Sequence, residues 1–180
     1  MRTQIITEVI DLLTIQCTKK LQETLKVPMS DLTDLTNEPL YSWHAHLFLY
    51  KRKKCVLVMN NVSRYNFLLF GLKASDFKQL DQIVMEEMKR NMIADGIDEL
   101  TVHKYMKNFQ SVTYTKTSER TIISQINEMI SVFKYWMEIR EHEGKEINID
   151  DINRDLNRFV MLRLPKSYSG ETMKDELQHL

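Results

Sequence analysis

YSWHAHLFLYKRKKCVLVMNNVSRYNFLLFG, running from Tyr41 to Gly71, reads as three successive β-strands. Aromatic and aliphatic residues dominate Tyr41–Tyr50 with no Gly or Pro among them, as β-structure favours. With a period of two, Tyr41, Trp43, Ala45, Leu47 and Leu49 share one face, and Ser42, His44, His46, Phe48 and Tyr50 the other. Lys51-Arg52-Lys53-Lys54 then breaks the apolar pattern; adjacent cations repel one another and seek water, which suits a hairpin tip. Cys55–Met59 resumes the pattern, Asn60-Asn61 and Ser63 supply a second turn, and Tyr65–Phe70 makes the third strand, closed by Gly71. The middle strand is apolar on both faces, so a layer is expected on each side of it.

Outward from this anchor the pattern turns helical. Ser75 and Asp76 open a helix whose Phe77, Leu80, Val84, Met88 and Met92 form one stripe, and Asp95-Gly96 ends it. Asp98–Lys107 reads as a shorter helix and Gln110–Thr115 as a fourth strand. The longest helix is predicted from Ser118, with Ile122, Ile123, Ile126, Met129, Ile130, Phe133, Trp136 and Met137 recurring at helical spacing and Gly144 as its stop. Asn148 caps a last sizeable helix that buries Ile152, Leu156, Phe159 and Val160 before Pro165. Upstream, Thr14–Thr18 is a short strand leading into a helix over Lys19–Lys26, stopped by Pro28; Leu32 and Leu35 in the next loop are expected to tuck onto the body. Residues 1–13 place Ile5, Ile6, Val9, Ile10, Leu12 and Leu13 at roughly helical spacing, and short and β-branched as the segment is, it reads as a helix with a strand as the alternative.

The division expected is an N-terminal extension over 1–13, a single domain over 14–165, and a C-terminal tail over 166–180 that adds one marginal turn. Strands cluster and helices follow, the order of an α+β domain. The expected architecture is an antiparallel sheet of about four or five strands packed with several helices, with long C-terminal helices.

Twenty-five basic and 25 acidic side chains balance over 180 residues, which argues against a bulk electrostatic nucleic-acid binder. Four Gly and three Pro leave little room for long linkers. Two cysteines, Cys17 and Cys55, suit a reduced cytoplasmic protein better than a disulfide scaffold. No apolar run approaches the roughly 20 residues of a bilayer span, and the start lacks the pattern of a secretion signal. A cytoplasmic protein without a membrane partner is expected.

Several short pieces, read in order, carry a resemblance. They are Cys17-Thr18-Lys19-Lys20-Leu21, Trp43-His44-Ala45, the strand ending at Asn60, Lys116-Thr117-Ser118-Glu119-Arg120 and Ile126-Asn127-Glu128-Met129. Over about residues 14–165 the set is similar to a family of short bacterial proteins known only as a domain of unknown function. In that family the last two pieces read more like S-x-R-S-x-x-G-S-M-N; Ser124-Gln125-Ile126-Asn127 here lacks the Gly and Met. The resemblance implies no activity, substrate or catalytic residue.

Four local patterns bear on chemistry. His44 and His46 have the strand spacing of a chelating pair, and Cys55 on the next strand is a further ligand type. No H-E-x-x-H or C-x-x-C accompanies them, so neither a metal nor a cofactor is expected. Cys17 precedes a predicted helix start rich in cations, which would favour a thiolate, with His44 as its base; inert burial is the favoured reading of a free cysteine. Lys116, Thr117, Ser118 and Arg120 bring hydroxyls, cations and free backbone N–H groups to a helix start, the physics of an anion site, against plain capping. No Gly-rich loop precedes them, which excludes a P-loop. Lys51, Arg52, Lys53 and Lys54, flanked by Tyr50, Tyr65 and Phe67, are candidates for nucleic-acid contact by charge and stacking, against a solvated hairpin tip.

The expectation is a small α+β protein that acts by binding, to a protein partner or to nucleic acid. The alternative is an enzyme acting on a phosphorylated or nucleotide-like ligand near Lys116–Arg120. That alternative needs Cys17, His44 and Arg120 to face one pocket, whereas a binding protein can scatter them.

Overall fold

β1 (Leu12–Cys17), β2 (Ser42–Tyr50), β3 (Lys53–Asn60), β4 (Asn66–Leu72) and β5 (Ser111–Lys116) form one sheet in the order β4-β3-β2-β1-β5. The structure is a computed structural model that describes residues 12–31 and 38–180. Tyr41–Gly71 supplies the antiparallel meander β2-β3-β4, with Trp43 opposite Asn60 and Val58 opposite Phe67. Lys51 and Arg52 alone turn the first hairpin, both with left-handed backbone (φ 44° and 67°), as a tight two-residue turn of this hand demands. Lys53 and Lys54 already belong to β3.

The sheet is mixed rather than purely antiparallel. β1 lies between β2 and β5 and runs parallel to both, with Ile15 level with Trp43 on one side and Tyr114 on the other. Parallel neighbours need long crossovers, and the chain between β1 and β2, and between β4 and β5, provides them.

Both faces are covered. α1 (Lys19–Leu25), α2 (Leu80–Ala94), α3 (Glu99–Lys107) and α6 (Ser169–Gln178) pack on one face, over Leu13, Ile15, Trp43, Ala45, Val56 and Val58. α4 (Arg120–His142) and α5 (Ile149–Asn157) pack on the other, over Phe48, Tyr50, Leu57, Met59 and Leu68. Alternation along β3 sends Val56 and Val58 into the first core and Cys55, Leu57 and Met59 into the second, as a strand apolar on both faces requires.

Some elements differ from expectation. Residues 166–180 hold more than a marginal turn: α6 buries Met173 and Leu177 in the first core. A 3-10 turn over Asp76–Gln79 precedes α2, and the Asp76 carboxylate, not the Ser75 hydroxyl, accepts a local backbone hydrogen bond, from Lys73 N–H at 2.7 Å. α5 ends at Asn157, which leaves Val160 half-exposed. Leu12 and Leu13 open β1; the helical reading of the residues before them and the docking of Leu32 and Leu35 fall outside the described residues.

The outer edge of β4 is guarded by α5. Asn153 Oδ1 accepts from Leu68 N–H at 2.8 Å, and Asn157, one turn on, accepts from Asn66 N–H at 2.9 Å and donates to Asn66 O at 2.8 Å. Two side-chain amides thus occupy hydrogen-bonding positions that another strand would otherwise take.

Candidate functional site

β1 and β5 are adjacent and parallel, and Cys17 at the end of one is level with Lys116 at the end of the other. From there the chain departs to opposite faces, α1 onto the first core through Leu21 and Leu25, α4 onto the second through Ile122 and Ile126. Strand ends that diverge in this way leave a crevice between them, where open parallel sheets hold ligands. Thr18, Lys19 and Lys20 follow Cys17 on one side of this end of the sheet, and Thr117, Ser118 and Arg120 follow Lys116 on the other. Lys19, Lys20, Lys116 and Arg120 are exposed, and among the described residues none joins an ion pair.

α4 begins at Arg120, two residues later than expected, with Glu119 as an extended N-cap whose side chain makes no capping bond. The first N–H groups of a helix have no acceptor within it, so they stay available at this mouth. Ser118 is engaged elsewhere: its Oγ accepts from Gln16 Nε2 at 3.0 Å. Gln16 Oε1 in turn accepts from Asn61 Nδ2 at 2.7 Å, and Asn61 Oδ1 lies 2.7 Å from His44 Nδ1. An amide oxygen only accepts, so His44 Nδ1 carries the hydrogen and Nε2 is left as a lone pair. Every bond in this chain runs one way, and the Ser118 hydroxyl hydrogen is free to donate outward. Arg64, with left-handed backbone (φ 60°), closes the cluster by donating to Asn61 O and Gln125 Oε1.

Three buried polar atoms here have no hydrogen-bond partner among the described residues: Thr18 Oγ1, His44 Nε2 and His46 Nδ1. The β1–β2 register puts Gln16 level with His44; one step on, where Thr18 N–H donates to Ala45 O at 3.1 Å, it puts Thr18 level with His46. All four side chains lie on the α4 side, because Leu13, Ile15 and Cys17 take the other. The unpaired atoms are therefore neighbours on a floor at the carboxyl end of β1. Leaving a buried polar group unpaired costs roughly 1–3 kcal/mol, so three together call for a cause. Burial holds both imidazoles below the usual histidine range. For His44 the Asn61 hydrogen bond and Glu119 oppose that shift and Arg64 adds to it; for His46, Lys20 and Lys134 add to it.

Other sequence candidates do not converge. Cys17 lies in the first core with its Sγ 3.6 Å from Ile15 O, and burial pushes its thiol up to about 12. It is level with Ala45, whose neighbour His44 faces the opposite side of the sheet, so alternation keeps the thiol and the imidazole apart. Cys55 lies opposite Phe48 rather than a histidine, and among the described residues no three His, Cys, Asp or Glu side chains gather as metal ligands. The basic run is divided: Lys51 pairs with Glu141, Lys53 lies over the Phe70 ring at 4.9 Å, and Lys54 over Phe77 at 5.4 Å on the other face. Tyr65 and Phe67 are fully buried and offer no stacking surface.

Gln16, Asn61 and Arg64 went unmarked in the sequence, as did Thr18 in its role on the floor. The available signal is the alternation of Thr14, Gln16 and Thr18 with Leu13, Ile15 and Cys17, which gives β1 one polar face. Residues 14–170 match a family model described as a domain of unknown function (DUF6933). No curated protein and no solved structure matches the chain.

Proposed function

The chain belongs to the DUF6933 family, a domain of unknown function, and from its crevice we propose that it is a binding module for a small ligand carrying a phosphate-like anion. The observation that supports this reading is that β1 and β5 end level, Cys17 beside Lys116, with Lys19, Lys20, Lys116 and Arg120 exposed, in no ion pair among the described residues, and with a start of α4 whose N-cap side chain makes no capping bond. Anions gain there from free N–H groups, from the helix dipole, and from charge-assisted bonds to Lys116 and Arg120. The outward-facing Ser118 hydroxyl adds a donor, because Gln16 already occupies one of its lone pairs.

Binding is favoured over nucleophilic catalysis because Cys17 is buried on the far side of the sheet from His44. A small ligand is favoured over nucleic acid because the Lys51–Lys54 cations part to different faces. Two unpaired thiols suit the cytoplasm.

The test is thermal stability in phosphate against chloride at equal ionic strength. A ligand that binds only the folded state raises its stability by mass action, but phosphate also stabilises proteins non-specifically. The comparison therefore includes Lys116→Ala and Arg120→Ala. Both variants are expected to lose most of the phosphate-specific increment; if both keep it in full, the crevice is not an anion site.

A further inference from the structure

The three unpartnered atoms beneath the crevice say more about the ligand than its charge. His44 is fully buried, and its ring edge away from Asn61 presents a bare lone pair, which only an O–H or N–H donor satisfies. Glu119, at the head of α4, is among the charges that act on this ring, which ties it to the mouth of the crevice. Thr18 Oγ1, at the N-cap position of α1, makes no capping bond and is open to either role. His46 Nδ1 lies next to it in register. At the rim, Ser118 offers a donor and the cations take an anion. The site thus asks for opposite things at its two ends: an acceptor outside and, at His44, a donor within.

We propose that the crevice floor recognises hydroxyl groups, so that the ligand is a phosphate ester of a polyol, with its phosphate at Ser118 and Arg120 at the head of α4 and its hydroxyls on Thr18, His44 and His46. This rests on the anion reading above and narrows it. Sugar phosphates and nucleoside monophosphates share the required chemistry. The floor atoms are closed to solvent, so the hydroxyl end enters only as the rim of the crevice opens.

Calorimetric titration of the full chain with ribose 5-phosphate, adenosine 5′-monophosphate and inorganic phosphate tests the assignment. At least one of the two esters is expected to bind about tenfold or more tightly than inorganic phosphate, and which one does so tells a free sugar phosphate from a nucleotide. Thr18→Val should remove most of that margin while leaving the affinity for inorganic phosphate within about twofold, whereas His44→Phe, which also unties the Asn61–Gln16–Ser118 chain, should remove the margin together with part of the phosphate affinity. Thr18→Val should also raise the melting temperature of the free protein, since it replaces an unpaired buried hydroxyl by a methyl group of the same shape. Esters that bind no better than inorganic phosphate would overturn the hydroxyl floor and leave the anion site standing. A Thr18→Val variant that melts lower than wild type would overturn it too, by showing that the hydroxyl is already paired. Wild-type protein that binds none of the three compounds would bring down the anion reading and this inference with it.

Discussion

His44 has one nitrogen committed to Asn61 and the other to nothing, and that asymmetry has a consequence for acid stability. Its folded pKa lies below the ordinary histidine value because burial disfavours the charged ring, and the same holds for His46. As pH falls through about 6.5 the unfolded chain therefore takes up protons before the folded one does. The stabilisation is complete above that value and is lost as pH drops toward the folded values. The melting temperature should decline between about pH 7 and pH 5, and His44→Phe should flatten part of the decline; an unaltered slope in that variant would show that His44 is not held neutral. At this scale the sequence was readable where a residue type declares its chemistry. The histidine pair and the Lys116–Arg120 run stood out for that reason. Gln16 and Asn61 did not, since an amide signals nothing until the strand beside it is known, and the bond that ties Ser118 to Gln16 spans 102 positions.

Strands β2, β3 and β4 and the stripes of α2 and α4 follow from periodicity alone, since each repeats an apolar choice several times. β1 and β5 were harder. A strand of six residues shows by alternation which face is apolar but not which strand it will lie beside, so the parallel pairing had no local signature. The Asn153–Asn157 guard was hidden for a related reason: asparagines one turn apart on a helix read as surface until an open strand edge is placed against them. Both are almost fully buried. Asn157→Ala should lower the free energy of unfolding by about 2 kcal/mol, because it strands Asn66 N–H and O in a buried setting. Removing both asparagines should also reopen the β4 edge to a second chain. Size-exclusion chromatography of the double variant is expected to show self-association; a monomer of wild-type stability would mean that the edge needs no guard.

The molecule as a whole is a sheet with two cores, and its weakest tolerance should lie where a strand serves both. Val58 is fully buried in the first core between Ala45 and Phe67, while its neighbours Leu57 and Met59 fill the second. Val58→Asp puts an unpaired carboxylate there at a cost of several kcal/mol, out of the roughly 5–15 that stabilise a domain. Circular dichroism should find that variant unfolded or insoluble; a cooperative melt near the wild-type midpoint would place the strand elsewhere. The α+β class and the layer on each side of β3 were legible, because composition and periodicity act over many residues. The direction of β1 was not, because it is fixed by partners distant in sequence. That distance also orders the molecule in time. β2, β3 and β4 join through short turns, whereas the seam between β1 and β5 ties together segments about a hundred residues apart, and closing so long a loop loses entropy before its contacts can offset the loss. On the ribosome β1 must therefore wait with one side open until Ser111–Lys116 has emerged, and the crevice, built on that seam, comes into being only then.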